Sequence, residues 1–357
     1  MKIFRRVFSV ATAAALLCLS QSADAGQQAA GASTPTAPGR MVDVGGYRLH
    51  LNCVGRSGGP VVVLLAGGGD FSFDWSLVQP AVSRFARVCS YDRAGLAWSD
   101  LGPVPRTMRQ EAHELRALLE RAGVRGPYVL VGHSFGGLIA RVFAERYASD
   151  VAGVVLVDAT SEDTTLMFGG KLVRVREGAK GKAVPPPRTL QDSPPLPPAD
   201  ADLKQAELNR QVFGPPKINP PFDKLPKQAQ ALRLWALSNP KLSAASEDFW
   251  ADELQAMYVA TGKTKHQLGD MPLVVVIPHT KGDDRPPDGV SAADWARLRS
   301  EKRQQKLAFA DLSRGGKVVF AEGSGHHVQL DAPEVVVGAI RETVAAARRR
   351  TRPGRRK

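Results

Sequence analysis

Apolar residues along this chain form short continuous runs, and amphipathic stretches separate them. The runs predict buried strands at Val61–Ala66, Arg87–Tyr91, Tyr128–Val131, Val154–Val157, Leu273–Ile277 and Lys317–Phe320. Helical spacing predicts helices at Arg109–Ala122, Leu138–Tyr147 and Pro333–Arg348. Strands that are apolar on both faces and alternate with helices indicate a mostly parallel sheet with helices on both sides.

Two segments depart from this alternation. Near the start, Met41–Val44 and Tyr47–Val54 predict a hairpin, because a pair of glycines supplies a tight turn between them. Further along, a proline-rich stretch at residues 185–198 precedes helical patterns at Leu203–Val212, Ala229–Leu237 and Ala245–Tyr258. No strand is predicted there, so we expect residues 161–271 to form a helical lid between core segments 41–160 and 272–346.

The composition is that of an ordinary globular protein. Hydrophobic residues make up 43% and charged residues 23% of the 357 positions, which excludes a wholly disordered chain. The 34 glycines and 26 prolines show no Gly-X-Y period, which excludes collagen. Three cysteines are too few for a disulfide scaffold or a four-cysteine zinc site.

The first 25 residues predict a secretory signal peptide. Lys2, Arg5 and Arg6 precede an apolar stretch, and Ala23 and Ala25 give the small-x-small pattern of a signal-peptidase site. The apolar stretch is shorter than the roughly 20 residues that a membrane helix needs, so no transmembrane segment is expected in the mature chain. We expect Sec-type export, cleavage after Ala25, a periplasmic or secreted protein, and a flexible linker over residues 26–40.

Much of the net charge of +13 lies at the C-terminus. The last ten residues carry seven basic groups and no acid, and without them the chain is only mildly basic. We expect residues 347–357 to form a solvated basic tail. Contact of this tail with anionic lipid, polysaccharide or nucleic acid stays open as the alternative, but no groove-reading motif indicates a specific nucleic-acid partner.

One motif carries chemistry, the Gly-His-Ser-Phe-Gly sequence from Gly132 to Gly136. A predicted strand precedes it and a predicted helix follows it, which is the context of a nucleophile elbow. In such a turn the glycines prevent clashes, and Ser134 projects at a helix N-terminus that favours developing negative charge. The sequence therefore predicts a serine nucleophile.

With three other markers, this elbow resembles the α/β-hydrolase superfamily. The markers are Leu65-Ala66-Gly67-Gly68-Gly69 after the third strand, Tyr91-Asp92-Arg93-Ala94-Gly95 after the fourth, and Gly325-His326 followed by Pro333. The resemblance covers about residues 41–160 and 272–346. It implies an α/β fold with a mostly parallel, eight-stranded sheet and a lid inserted after the sixth strand. A histidine common in the family is replaced here by Ala66.

The resemblance also implies roles for particular residues. The oxyanion hole would use the backbone N–H groups of Gly68 and of Phe135, which follows the nucleophile. The general base would be His326, directly after a glycine in the loop behind the last strand, and His327 would point elsewhere. His133 would point toward the sheet and have a structural role.

The sequence offers several carboxylates as the acid of the triad. The usual family position follows the seventh strand, where Asp283 and Asp284 lie a little late. Some members, such as haloalkane dehalogenases, carry the acid at the end of the sixth strand, where Asp158 directly follows the apolar run. A carboxylate beside an apolar strand needs a partner, and a histidine would supply one. We favour Asp158, with Asp283 as the main alternative and then Asp284 or Asp163.

These expectations combine into one predicted activity. An exported serine hydrolase would cleave a carboxylic ester or related small acyl substrate through an acyl-enzyme intermediate, with neither cofactor nor metal. The alternative is a non-catalytic ligand-binding protein on the same fold. The family's strand order also makes the second and fourth strands neighbours, which implies a disulfide between Cys53 and Cys89 after export. The opposing interpretation is two free thiols in the core.

Overall fold

The computed structural model describes residues 34–168, 171–189, 204, 214–244, 250–279, 286 and 288–351. The predicted signal peptide, nearly all of the helix predicted at Leu203–Val212, the carboxylates Asp283 and Asp284, and the tail from residue 352 lie outside these residues. The expectations that concern them therefore stay predictions.

An eight-stranded sheet forms the centre of the molecule, with strand order β1-β2-β4-β3-β5-β6-β9-β10. The pairs β1–β2 and β2–β4 are antiparallel, and all other pairs in this sheet are parallel. Its strands are β1 Arg40–Asp43, β2 Arg48–Val54, β3 Val61–Leu65, β4 Val88–Tyr91, β5 Tyr128–His133, β6 Val151–Val157, β9 Leu273–His279 and β10 Lys317–Glu322. The predicted mostly parallel sheet is confirmed.

Helices connect the strands and cover both faces of the sheet. The α-helices are α1 Gln79–Ser83, α2 Met108–Arg121, α3 Phe135–Arg146, α4 Lys227–Leu237, α5 Lys241–Ala244, α6 Trp250–Lys263, α7 Ala292–Ala308, α8 Val328–Asp331 and α9 Pro333–Thr351. Short 3₁₀ turns lie at Ser72–Trp75, Ala148–Asp150, Val175–Gly178, Phe222–Lys224 and Phe309–Leu312. Among the helices in the described ranges, none combines the length and the apolar character needed to cross a bilayer.

The core consists of two apolar layers, one on each face of the sheet. Successive residues of a strand point to opposite faces, so Val63 and Leu130 pack with α2 and α3, whereas Val62 and Val129 pack with α1 and α9. All four of these side chains are fully buried. This double coverage explains why the central strands are continuous apolar runs and not alternating ones.

Cys53 and Cys89 lie opposite each other on the antiparallel pair β2–β4 and are joined by a disulfide. Strand β4 lies between β2 and β3, as the resemblance implied. The expected pairing is therefore present in the structure, and it links two strands that are separated by a crossover in the chain.

Contacts and helical structure extend into the segments that the sequence predicted as linker and tail. Before β1, the Trp98 indole donates a hydrogen bond to the Pro35 carbonyl at 2.7 Å, and His50 Nε2 contacts the Pro38 carbonyl. Pro35 and Pro38, which lie in the segment predicted as a flexible linker, therefore contact the body of the structure through their backbone carbonyls. At the other end, α9 continues to Thr351, so the first residues of the predicted tail are helical.

The inserted segment is not purely helical, which corrects the prediction of a lid without strands. It begins with an antiparallel hairpin of β7 Thr165–Phe168 and β8 Lys171–Arg174. These strands are only four residues long, and β8 alternates between exposed and half-buried positions, so no long apolar run marks them. A Gly169-Gly170 pair between two short apolar stretches was the available signal. Helices α4 and α6 do lie where helices were predicted.

Helix α7 was not predicted from the sequence. Leu298 is its one buried residue, so the helix lacks the apolar periodicity that marks α2. A capping signal was present, because the Ser291 side chain accepts a hydrogen bond from the backbone N–H of Asp294 at 3.0 Å. This helix matters because it carries Lys306, which reaches the candidate site.

Candidate active site

Ser134 lies in the tight turn between β5 and α3 with φ of 50° and ψ of −120°. Residues with a Cβ rarely adopt this positive φ, so the surrounding structure must hold the strained backbone. The Ser134 N–H donates to the Val157 carbonyl at 3.1 Å, and the Thr160 N–H donates to the Ser134 carbonyl at 3.0 Å. The end of β6 thus fixes the turn that presents the serine.

The two outer glycines of the elbow are required by close packing. A Cβ at Gly136 would lie 2.3 Å from the Leu65 carbonyl oxygen, and a Cβ at Gly132 would lie 2.5 Å from the Gly136 carbonyl oxygen. Both distances are far below van der Waals contact, and backbone atoms cannot move aside cheaply. Only glycine fits at these two positions, where helix α3 packs directly against the backbone of β3 and β5.

The structure brings Ser134, His326 and Asp158 together. His326 Nε2 lies 3.1 Å from Ser134 Oγ, and His326 Nδ1 lies 2.6 Å from Asp158 Oδ2. These separations suit a histidine that accepts from the serine hydroxyl and donates to the carboxylate. The His326 side chain is 50% exposed, whereas the Asp158 side chain is 3% exposed, so the cluster opens to solvent on the histidine side.

Asp158 follows β6 and has a positive φ of 38°. Burial alone raises the pKa of this carboxyl, but the hydrogen bond with His326 and the charge of Lys306 outweigh burial and lower the pKa below its usual range. Lys306 Nζ forms an ion pair with Asp158 Oδ1, the oxygen that His326 does not use. The carboxylate is therefore ionised and has a partner on each oxygen.

The loop after β3 lies beside the start of α3. A Cβ at Gly68 would be 3.7 Å from Phe135 Cβ, so the two residues predicted for the oxyanion hole are neighbours. The buried Arg93 guanidinium donates to the carbonyls of Ala66 at 2.7 Å and Gly67 at 2.9 Å. The same guanidinium lies 5.3 Å from the Phe135 ring centroid. Arg93 thus contacts both segments, a role that the sequence markers did not reveal.

A buried histidine supports the loop that carries His326. His133 Nε2 lies 2.9 Å from the His326 carbonyl, and the Gln329 amide nitrogen lies 3.3 Å from His133 Nδ1. Burial lowers the pKa of His133, and Nε2 faces a carbonyl oxygen and is therefore the donor in that contact, while Nδ1 also lies 3.4 Å from Asp70 Oδ2. The expected structural role of His133 agrees with these contacts.

Helix α4 of the inserted segment is joined to the site by a buried ionic cluster. Arg233 of α4 lies 3.3 Å from Asp70 in the loop after β3 and pairs more closely with Asp74. Burial and the neighbouring Asp70 raise the pKa of Asp74. Phe222 lies between the Arg233 guanidinium, 3.3 Å from its ring centroid, and the His327 ring at 4.6 Å. The insertion is therefore attached to both loops that border Ser134.

Two further predicted residues lie away from the serine. His327 Nε2 is 3.6 Å from Asp70 Oδ2, so this ring points into the ionic cluster below the site. Asp163, a minor candidate for the acid, binds Arg174 at 2.7 Å and Arg176, and joins the hairpin to the core. Thr160 was not singled out from the sequence, yet its Oγ1 lies 3.4 Å from Ser134 Oγ.

Comparisons with known proteins agree with this architecture. The AB hydrolase superfamily protein of Gibberella zeae is 26% identical over 305 residues, which cover 81% of this chain and 87% of the relative. An uncharacterized Bacillus subtilis protein, YqjL, is 32% identical over 120 residues, or 34% of this chain and 47% of the relative. Two other curated relatives match over only 19% and 31% of their own lengths, so the chain spans less than half of several relatives.

Solved structures share the fold at low identity. Cfl2 from Burkholderia cenocepacia has a TM-score of 0.58 at 20% identity, covering 85% of this chain and 95% of that one. A thermophilic esterase from Thermogutta terrifontis has a TM-score of 0.56 at 21% identity, covering 84% and 94%. At such identities the likeness concerns the fold alone. The alpha/beta hydrolase family model matches residues 62–339, most of the chain, and the chain therefore belongs to the alpha/beta hydrolase family.

Proposed function

We propose that this protein is an exported serine hydrolase that cleaves a carboxylic ester or related acyl substrate. The observation that carries the proposal is His326, which lies 3.1 Å from Ser134 Oγ and 2.6 Å from Asp158 Oδ2. A nucleophile, a base and an orienting carboxylate in hydrogen-bond reach form the arrangement that activates a serine. The Cys53–Cys89 disulfide and the signal-peptide pattern support export.

In the first half of the reaction, His326 Nε2 takes the Ser134 proton as Oγ attacks the substrate carbonyl. The carbonyl oxygen becomes an oxyanion, which the N–H groups of Gly68 and Phe135 bind. Asp158 holds the proton on Nδ1, so Nε2 is free to accept, and it stabilises the imidazolium that forms. His326 then protonates the leaving alcohol, and the acyl group stays bonded to Ser134.

In the second half, water replaces the alcohol. His326 takes a proton from the water, whose oxygen attacks the acyl carbon. The second oxyanion uses the same backbone donors, and its collapse releases the carboxylic acid as His326 returns the proton to Ser134. No redox partner or cofactor is needed, because every proton and electron pair is accounted for by the serine, the histidine and water.

A fluorophosphonate probe tests the nucleophile directly. We expect the mature protein to gain one phosphonyl group on Ser134, and the Ser134→Ala variant to gain none while it keeps its thermal unfolding profile. A panel of acyl esters of increasing chain length then defines the substrate class. An intact, unlabelled Ser134 by mass spectrometry, with no turnover across the panel, would favour the non-catalytic binding protein instead.

The Asp158→Asn variant tests the acid. An asparagine in this position stabilises the wrong histidine tautomer, and we expect kcat to fall by about 10⁴-fold, as in the serine-protease case. Asp163→Asn is the matched control, since Asp163 lies in the same connecting segment but pairs with Arg174. Equal turnover by Asp158→Asn and the parent protein would transfer the role of acid to another carboxylate, with Asp283 first in line.

A further inference from the structure

Asp158 contacts two side chains, a histidine that belongs to the proposed triad and a lysine that does not. His326 bonds to Oδ2 at 2.6 Å, and Lys306 of α7 pairs with Oδ1. The lysine side chain is 21% exposed and the aspartate 3% exposed, so this ion pair is largely shielded from water. A catalytic serine, histidine and aspartate do not by themselves require such a lysine.

We propose that Lys306 is a positioning residue that fixes the Asp158 carboxylate and extends the activity of His326 to lower pH. The proposal rests on the proposed function in so far as His326 acts as the base. With Oδ1 held by the ammonium group, the carboxylate cannot rotate away from the imidazole. The same ammonium charge lies next to the histidine–aspartate pair, and a neighbouring positive charge disfavours the protonated form of a basic group.

The position of Lys306 is built into the packing of α7. The Gln305 side chain donates to the Asp163 backbone carbonyl at 2.9 Å, which anchors this part of the helix to the segment after β6. Phe309, just beyond the helix, is buried in the core beside it. Gln305 and Phe309 thus hold the helix on either side of Lys306, so that the Lys306 side chain extends toward Asp158 and not into solvent.

Other charged groups face this pair from the surrounding elements. Lys302 lies one turn earlier on α7, and burial together with Lys306 lowers its pKa. The rings of His133 and His327 lie 4.8 and 5.1 Å from the His326 ring, and both contact Asp70 and not Asp158. Among the charged residues that the structure describes, Lys306 is the cation in ion-pair contact with the Asp158 carboxylate.

The test is the pH profile of kcat/KM for Lys306→Met, Lys306→Arg and the parent protein. We expect the acid limb of Lys306→Met to move to higher pH by about 1 unit, so that kcat/KM on the acid side falls about tenfold while the high-pH plateau is largely kept. Lys306→Arg should restore the parent profile. Arg303→Met is the matched control, because it removes the same charge from an exposed position on the same helix.

A second readout separates this inference from the proposed function. The titration of the His326 ring, followed by NMR in the parent protein and in Lys306→Met, needs no substrate and should show the same upward displacement. A lysine that merely attaches α7 would lower the melting temperature and leave both curves in place, which would overturn the proposal. Absence of Ser134 labelling with a displaced His326 titration would instead refute the proposed function and retain the role of Lys306.

Discussion

Replacement of Arg93 by Met should displace the loop after β3 that borders the candidate site, while Ser134 and His326 stay unchanged. The Arg93 guanidinium donates to the carbonyls of Ala66 and Gly67 at 2.7 and 2.9 Å. These carbonyls belong to the loop that presents Gly68, so they determine where its N–H lies. Methionine keeps much of the apolar stem and removes every donor.

The stability cost can be worked out from the contacts that are lost. Each hydrogen bond from a charged donor contributes about 1.5–3 kcal/mol, and breaking a buried ion pair on one side costs about 3–5 kcal/mol. Arg93 Nε lies 3.2 Å from Glu111, and both side chains are at least 92% buried. The contributions overlap because one guanidinium makes them all, and Arg106 remains 3.5 Å from Glu111. We expect Arg93→Met to lose about 3–4 kcal/mol of unfolding free energy.

The catalytic cost has a different origin, so a double variant separates the two. Arg93→Met with Glu111→Leu removes both charges, and stability should recover in part, because no carboxylate is left without its arginine while the two loop carbonyls still lack their donor. Turnover should stay low, by about 10²–10³-fold, since the loop carbonyls remain unsupported and one oxyanion donor is displaced.

Unfolding in guanidinium chloride measures the stability of these variants. The kcat on the best ester, at a temperature where each variant is folded, measures turnover. Arg84→Met, at an exposed position after α1, is the matched arginine control and should change neither quantity. Recovery of kcat together with stability in the double variant would refute the role given to Arg93 in supporting the loop that presents Gly68.

Three further predictions address other parts of the molecule. His326→Ala should lower kcat by a factor comparable to loss of the serine, and His327→Ala far less, as measured on one ester; the reverse order would contradict the role given to His326. Replacing both Cys53 and Cys89 by Ala should lower the free energy of unfolding, measured with denaturant, by about 4 kcal/mol, because the disulfide closes a loop of 36 residues. A protein mass that reduction leaves unchanged would argue against the disulfide. Glu162, after β6, forms a buried ion pair with Arg141 of α3. Burial raises the pKa of Glu162, but Arg141 outweighs burial and lowers the pKa to about 2. The pair should therefore stabilise the fold by about 3 kcal/mol above pH ~4.5 and lose this as pH falls toward 2, a dependence that Glu162→Gln should abolish.

The core strands were predictable because strands buried on both faces have continuous apolar sequences. Leu273–Ile277 and Tyr128–Val131 coincide with β9 and β5 to within two residues at each end. Such runs arise where helices cover both faces of a parallel sheet, so sequence and packing carry the same information. The elbow was predictable for a related reason, since its glycines are dictated by contacts closer than any Cβ permits.

Helix α7 and the β7–β8 hairpin escaped prediction because local pattern does not determine them. The helix is charged on nearly every face, and it is held by contacts such as the Gln305 hydrogen bond to the Asp163 carbonyl. The hairpin strands are too short for a period to emerge. Consequently Lys306, which depends on the placement of α7, could not be connected to Asp158 from sequence alone.

The position of Asp158, the acid that we propose, follows from how the strands are arranged. In the parallel pair β5–β6, His133 lies opposite Val157, so Ser134 and Asp158 follow directly from paired positions about 4.8 Å apart. An acid after β9 starts one strand further from the serine, because β6 lies between β5 and β9.

The loop that carries His326 has to reach from β10 to the serine after β5, across the ends of β9 and β6. His326 follows β10, beyond β9, yet the Gly323 N–H donates to the His279 carbonyl at 2.8 Å, and the His326 carbonyl lies 2.9 Å from His133 Nε2. The loop is thus attached to β9 at one end and to β5 at the other, and it passes over the end of β6. A carboxylate at that strand end reaches the His326 ring without an extended loop of its own, which is how Asp158 contacts His326 from the position directly after the strand.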